Sequence, residues 1–176
     1  MSEIPLATPE KNEAIDDNAR KFTLDGLAPA FLDGNNADSY VMTTDWLVTD
    51  ENSEEKLVYK KFKNDEVKIL LIKKVMDENG KRKSVKKEIP QEKYEELKTT
   101  SILQVEKTRY EFSHSQNGTD FSLKYDEFTN SELRVLEVDA EDDNGRELFD
   151  KTTFAAGLTE VTGNLDFYGY RVAALI

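Results

Sequence analysis

The most constraining feature of this sequence is a period-two alternation in which one face of a strand carries charges of both signs. In VEKTRYEF (105–112), Lys107 and Arg109 share one face, and Tyr110 and Phe112 share the other. Because successive side chains of a strand point to opposite faces, Tyr110 and Phe112 predict a face that packs on a core. The face of Lys107 and Arg109 then meets solvent in an open sheet, or lines the interior of a closed barrel.

The same alternation recurs elsewhere in the chain. Within 132–141, Glu137 and Asp139 alternate with apolar residues, and within 120–128, Lys124 and Asp126 do so. Solvated sheet faces and a barrel lumen both remain open on this pattern alone. A lumen lined by both signs suits a polyphosphate with a divalent metal, because cations neutralise phosphate oxygens and carboxylates hold Mg²⁺ or Mn²⁺.

The net charge of the chain indicates which kinds of molecule it disfavours as partners. With 36 acidic and 24 basic side chains, the net charge is -12, which argues against general nucleic-acid or membrane binding but does not exclude a small basic pocket. The absence of cysteine excludes disulfides and thiolate sites. The single histidine, His114, is predicted to lie in a surface turn over 113–119. Because the chain shows no transmembrane run and no signal-peptide core, we expect a soluble, cytoplasmic protein.

The segments predict an antiparallel α+β domain, because most strands are joined by hairpin-type turns. We expect a flexible tail over 1–15 and one domain over 16–176. Strands are predicted over 20–24, 39–49, 56–63, 66–76, 84–89, 102–112, 120–128 and 132–141. Helical segments are predicted over 26–34, 90–99, 146–155 and 166–176.

Four stretches in the second half of the chain resemble the CYTH domain, the triphosphate tunnel metalloenzyme superfamily. They are EKTRYEF (106–112), LKYDEF (123–128), LRVLEVDAE (133–141) and GLTEVTGN (157–164). The resemblance implies a closed antiparallel eight-stranded β-barrel, the tunnel, with peripheral helices. It also implies divalent-metal-dependent hydrolysis of a triphosphate-bearing small molecule, such as inorganic, nucleoside or thiamine triphosphate.

The resemblance also implies roles for individual residues. The phosphate-binding residues would be Lys21, Lys60, Lys73, Lys107 and Arg109. The catalytic residues would be Glu137, Asp139 and Asp126, of which Glu137 and Asp139 would hold Mg²⁺ or Mn²⁺.

This sequence departs from the family pattern at several positions. Ala19, Ser84 and Lys86 stand where glutamates are expected, and Asp166 stands where the final arginine is expected. Because of these departures, the alternative is that the protein is a degenerate, non-catalytic module that binds a nucleotide or polyphosphate anion. The sequence therefore leaves open whether the protein is an enzyme. Cyclisation of ATP is a weaker option. A homodimer formed through the outer faces is also left open.

Overall fold

The computed structural model describes residues 15–16, 19–24, 30–32, 37–50, 52–167 and 169–175. Its strands are β1 (Ile15–Asp16), β2 (Arg20–Leu24), β3 (Asp38–Thr49), β4 (Ser53–Phe62), β5 (Val67–Met76), β6 (Arg82–Glu88), β7 (Leu103–Gln116), β8 (Thr119–Phe128), β9 (Arg134–Asp139) and β10 (Leu158–Glu160). Its α-helices are α1 (Gln91–Lys98), α2 (Asp143–Glu147), α3 (Lys151–Phe154) and α4 (Gly169–Leu175), with 3₁₀ turns at Ala30–Leu32 and Leu165–Phe167.

All ten strands form one antiparallel sheet in the order β1-β6-β5-β4-β3-β7-β8-β9-β2-β10. The prediction of a closed eight-stranded barrel is therefore wrong. Within the described residues, the edge strands β1 and β10 do not pair with each other, so no ladder of hydrogen bonds closes the sheet. The edges are two and three residues long, and strands this short leave little backbone to bridge a gap.

The open sheet is nevertheless strongly curved, because the chain passes directly from one end to the other. Asp16 pairs with Lys83 of β6, and Arg20 pairs with Val138 of β9. Four residues of extended chain span at most about 14 Å. The two ends of the sheet are therefore held close together by a covalent link, and the inner face becomes concave.

Apolar side chains cover the outer face of this curved sheet. One cluster joins β2, β7, β8 and β9 to the segment of α2 and α3, where the Phe149 ring lies 5.6 Å from that of Phe22 and 5.3 Å from that of Phe121. A second cluster joins β4 and β5 to α1 through Tyr94, which is buried. With the outer face covered in this way, the alternate residues of the same strands point into the concavity.

The structure moves the boundaries of several predicted elements. Strand β7 continues to Gln116, so the turn predicted over 113–119 shrinks to Asn117 and Gly118, whose φ angles of 49° and 80° are those of a tight two-residue hairpin. His114 therefore lies in a strand, and its ring packs 4.8 Å from that of Phe154. Both predictions, the turn over 113–119 and the surface position of His114, were wrong for the same reason. The end of a strand that carries polar residues resembles a turn when the strand that pairs with it is not known.

The helical predictions near the ends of the chain were also refined. The segment 146–155 is broken into α2 and α3 because the side chain of Asp150 accepts hydrogen bonds from the backbone N–H groups of Thr152 and Thr153, starting a new helix. Of the predicted helical segment 26–34, only Ala30–Leu32 is described. Residues 1–14, most of the predicted tail, lie outside the described residues, and Ile15 already belongs to β1.

Over the residues that the structure describes, no helix is long and apolar enough to cross a membrane.

Candidate functional site

The concave face of the sheet encloses a cavity of about 290 Å³ to which all the strands from β2 to β9 contribute. Eight cationic side chains line it: Lys21, Lys56, Lys60, Lys74, Lys86, Lys107, Arg109 and Lys124. Four carboxylates line it with them: Glu54, Glu111, Glu137 and Asp139. In a chain of net charge -12, an excess of positive charge confined to one cavity is the signature of a site for an anion.

Buried ion pairs fix the two cations of β7 in this cavity. Lys107 donates a hydrogen bond of 2.7 Å from Nζ to Oδ2 of Asp126, and Arg109 donates two hydrogen bonds of 2.7 Å, from Nε to Oδ1 and from Nη2 to Oδ2. Asp126 is only 1% exposed, whereas Lys107 and Arg109 are 9% and 8% exposed. The buried carboxylate of Asp126 thus fixes the positions of both cations, and it offsets part of the free-energy cost of burying their charges.

The charges around these pairs set the protonation of the cavity carboxylates. Burial alone would raise the pKa of Asp126, but Arg109 and Lys107 outweigh it and keep this pKa below its usual range. Burial is likewise outweighed at Glu137 by Arg109 and Lys21, and its pKa lies well below the ordinary value. Both carboxylates are therefore ionised at neutral pH, and the cations of the cavity still outnumber them.

Two lysines of the cavity have depressed pKa values, chiefly because they are buried and in part because other cations lie near them. Burial lowers the pKa of Lys60 to about 8, and the nearby Arg109, Lys86 and Lys124 act in the same direction against Glu111. Burial also lowers the pKa of Lys107, to which Arg109 adds. An anionic ligand would relieve this repulsion and would hold both ammonium groups protonated.

Most of the predicted site residues come together in this cavity. Lys21, Lys60, Lys107, Arg109, Glu137 and Asp139 line it, and Asp126 is buried against two of them. Lys73 is the exception. It lies on the face of β5 that carries Ile69 and Leu71 toward α1, so its predicted place in the cavity is taken by Lys74. Their roles in binding or catalysis stay predictions.

The sequence predicted no site role for several charged residues of the cavity, among them Glu54, Lys56, Lys74 and Glu111. A signal was present, because Glu54, Lys56 and Lys60 share one face of β4 by period two. For β5 no such signal exists. Residues 69–72 are buried on both faces, so the alternation cannot say which face is concave.

The described residues do not form a site that would hold a divalent metal in the absence of a bound ligand. Glu137 Oε1 lies 3.8 Å from Arg109 Nη2 and 4.0 Å from Lys21 Nζ, while Asp139 accepts a hydrogen bond of 3.0 Å from Arg146 Nη1. Among the described residues there is no group of three or more His, Cys, Asp or Glu side chains placed to share an ion. Mg²⁺ in proteins is commonly held by one or two carboxylates together with water and the phosphate oxygens of a substrate, and here both candidate carboxylates serve cations in the free protein.

The stretch 157–164, the most distinctive part of the sequence, lies at the wall of the cavity, which Thr162 and Gly163 help to line, and it also supports a neighbouring strand. Glu160 receives hydrogen bonds of 2.8 and 3.0 Å from Arg20, and the hydroxyl of Thr162 accepts one of 2.9 Å from the backbone N–H of Lys21. These contacts fix β2, and with it the cavity-facing Lys21. This stretch therefore positions β2 in addition to contributing to the cavity wall.

Solved structures share the fold of this chain. The crystal structure of the inorganic triphosphatase NE1496 matches with a TM-score of 0.57 and 19% identity, covering 93% of this chain and 95% of that chain. A second structure of NE1496 matches with a TM-score of 0.55 and 19% identity, over 91% and 97% of the two chains. This likeness confirms, for the fold, the resemblance predicted from the sequence.

A further solved structure shares the fold over a smaller part of the chain, and comparisons of the sequence itself find no match. A conserved hypothetical protein from Pyrococcus furiosus matches with a TM-score of 0.50 and 17% identity, over 73% of this chain and 84% of that chain. No protein-family model matches the sequence, and no curated protein sequence does. Sequence identities of 17–19% support a shared fold and nothing more. The function of this protein therefore depends on the side chains that line its cavity.

Proposed function

We propose that the cavity binds a triphosphate-bearing small molecule or another polyphosphate anion. The observation that carries the proposal is the set of eight cations facing four carboxylates in a cavity of about 290 Å³, inside an acidic protein. Phosphate oxygens prefer such a site because each accepts charge-assisted hydrogen bonds from ammonium and guanidinium groups. The acidic exterior would repel nucleic acid and leave the cavity to small anions.

The cations would divide the work by position. Lys107 and Arg109 are fixed by Asp126, so they offer phosphate oxygens a rigid pair of donors at little cost in conformational entropy. Lys60 and Lys124 are partly exposed, and among the described residues no carboxylate forms an ion pair with either ammonium group, so both would close on the ligand. Lys86 adds positive charge at a position where the family pattern has a carboxylate.

The second candidate is divalent-metal-dependent hydrolysis of the same ligand, the function predicted from the sequence. It is favoured by the fold shared with an inorganic triphosphatase and by the position of Glu137 and Asp139 in the cavity. The ion pairs of these carboxylates oppose it, because losing a ligand-binding or charge-stabilising group in phosphoryl transfer costs orders of magnitude in rate. We therefore place binding first and hydrolysis second.

One pair of measurements separates the two candidates. Titration calorimetry with inorganic tripolyphosphate in EDTA should show one site per chain, with affinity well above that for orthophosphate and falling with added salt. Equal, negligible heats from both anions would refute the binding proposal. Orthophosphate release from tripolyphosphate with Mg²⁺ or Mn²⁺, absent in EDTA, would establish hydrolysis; no release together with tight binding would leave binding alone.

A further inference from the structure

The charged residues of the cavity alternate in sign across four neighbouring strands. In the sheet register, Glu137 of β9 stands between Lys21 of β2 and Lys124 of β8. Lys124 in turn stands between Glu137 and Glu111 of β7, and all four residues line the cavity. Glu137 therefore has a cation beside it on both adjacent strands and a second carboxylate on neither.

Short contacts commit both carboxylates of β9 to cations. Glu137 Oε1 lies 3.8 Å from Arg109 Nη2 and 4.0 Å from Lys21 Nζ. Asp139 Oδ1 accepts a hydrogen bond of 3.0 Å from Arg146 Nη1 and one of 2.8 Å from the backbone N–H of the next residue. A divalent cation seated at these carboxylates would lie close to two guanidinium groups and one ammonium group, whose repulsion opposes it.

The opposite wall of the cavity adds positive charge where the family pattern has glutamates. Ala19, Ser84 and Lys86 line the cavity, so these departures from the pattern act on the site itself. They present a methyl group, a hydroxyl group and an ammonium group. The ammonium group of Lys86 can donate charge-assisted hydrogen bonds to phosphate oxygens directly, which a carboxylate does only through a metal ion.

The balance of charges in the cavity also favours an anion that carries no metal. The eight lining cations exceed the four lining carboxylates by four, and the buried Asp126 beside Lys107 and Arg109 reduces the excess to three. A free triphosphate brings several negative charges that would neutralise this excess. Mg²⁺ on the same ligand would cancel part of those charges first and leave cations of the cavity uncompensated.

We infer that the cavity takes its ligand as the metal-free polyphosphate anion, with ammonium and guanidinium groups in the place of a metal ion, so that Mg²⁺ competes with the protein. The inference rests on the proposed function and adds the ionic form of the ligand. Mg²⁺ competes because it binds phosphate oxygens itself. Glu137 is then an internal anion that competes with the ligand for Lys21 and Arg109.

The first test is titration calorimetry of the full chain with inorganic tripolyphosphate, in EDTA and in excess Mg²⁺. Both buffers are brought to the same ionic strength with NaCl, so that screening is equal. Affinity should fall about tenfold or more in Mg²⁺. Equal or tighter binding in Mg²⁺ overturns the inference while the anion site stands. If tripolyphosphate binds in neither buffer, the proposed function itself fails.

A second test removes the charge of the internal anion. Glu137→Gln should bind tripolyphosphate about fivefold more tightly than the wild type in EDTA, because Lys21 and Arg109 no longer have a competing carboxylate. Mg²⁺ should still weaken its binding. If Glu137→Gln instead abolishes tight binding that the wild type shows in Mg²⁺, Glu137 holds a metal ion and the inference is wrong.

A third test restores a carboxylate to the cavity wall. Lys86→Glu should weaken tripolyphosphate binding in EDTA by about tenfold, and Mg²⁺ should then strengthen the binding instead of weakening it. The control is Lys83→Glu, the same change at an exposed position of β6 outside the cavity lining, which should respond to Mg²⁺ like the wild type. An identical response of both variants to Mg²⁺ would show that Lys86 does not take the place of a metal ion.

Discussion

Arg109 and Asp126 stand directly opposite each other on β7 and β8, and the guanidinium grips both carboxylate oxygens through two hydrogen bonds of 2.7 Å. Lys107 reaches the same carboxylate, so one buried anion organises two buried cations. Glu137 lies 3.8 Å from the same guanidinium, and the further cations of the cavity still outnumber its carboxylates. The stability of the empty protein and its affinity for anions should therefore be coupled at Asp126.

Replacing Asp126 by asparagine keeps the shape of the side chain and removes its charge. We expect Asp126→Asn to lower the free energy of unfolding by about 3 kcal/mol, because Lys107 and Arg109 lose their buried counter-charge. Tripolyphosphate should raise the melting temperature of this variant by more than that of the wild type. Asp120→Asn, an exposed position on the same strand, should show neither effect. An equal ligand-induced shift in all three proteins would contradict the coupling.

The pH dependence of stability should follow the depressed pKa of Asp126. A carboxyl whose folded-state pKa lies below its unfolded value of about 3.9 stabilises the protein fully above that value, and the contribution is lost as pH falls toward the folded-state pKa. The free energy of unfolding measured in urea should drop as pH falls below about 4. The drop should be shallower in Asp126→Asn. Parallel curves for the two proteins would show that Asp126 does not carry the effect.

Binding should depend on pH through Lys60, whose pKa lies near 8 in the free protein. An anion raises this pKa, so protons are taken up on binding, and affinity falls as pH rises through about 8. Calorimetry in buffers of different ionisation enthalpy measures the proton uptake. Lys60→Ala should reduce it, whereas Lys61→Ala, on the outer and exposed side of the same strand, should not. If the two variants take up the same number of protons on binding, Lys60 is not part of the anion site.

Neighbouring lysines on β5 test which face of that strand meets the ligand. Lys74 lines the cavity and Lys73 does not. Lys74→Ala should weaken binding of inorganic tripolyphosphate by about fivefold, through loss of a charged group at the cavity wall, and Lys73→Ala should leave it unchanged. Calorimetry on the pair decides the matter, since the opposite order of effects would place the concave face on the other side of β5.

Close packing at Gly169 gives a prediction about stability. A Cβ at this position would lie 2.9 Å from Cζ2 of Trp46, a buried ring with little room to move. Gly169→Ala should cost about 1–3 kcal/mol of the free energy of unfolding. The cost should shrink in a Trp46→Phe background, where the clashing atoms are absent. A double-mutant cycle in urea measures this, and strict additivity would show that the two residues do not interact.

The sequence predicted best where charges and aromatic residues alternate without ambiguity. On β7, Lys107 and Arg109 alternate with Tyr110 and Phe112, and the structure places the first pair in the cavity and the second on the outer side. The same held for Glu137 and Asp139 on β9. In these strands the burial of one face determines the other, so local pattern is sufficient.

Sequence reasoning could not resolve features that depend on partners elsewhere in the chain. Lys73 and Lys74 both follow a run that is buried on both faces, so their sides are decided by the curvature of the sheet and not by the residues themselves. Closure of the sheet is decided at β1 and β10, whose lengths of two and three residues carry almost no pattern. The sequence also could not predict that the buried Ser84 hydroxyl finds no hydrogen-bond partner among the described residues, because its neighbours come from other strands.

The most direct test of the account is the affinity for inorganic tripolyphosphate when Lys60 and Lys124 are both replaced by alanine. These cavity residues can be removed without stripping Asp126 of its partners, and Lys61→Ala/Lys63→Ala removes the same charge from exposed positions. Calorimetry should show affinity falling about 100-fold or more in the first variant and little in the second. If both variants bind like the wild type, or lose affinity equally, the cavity is not the anion site and the account is wrong.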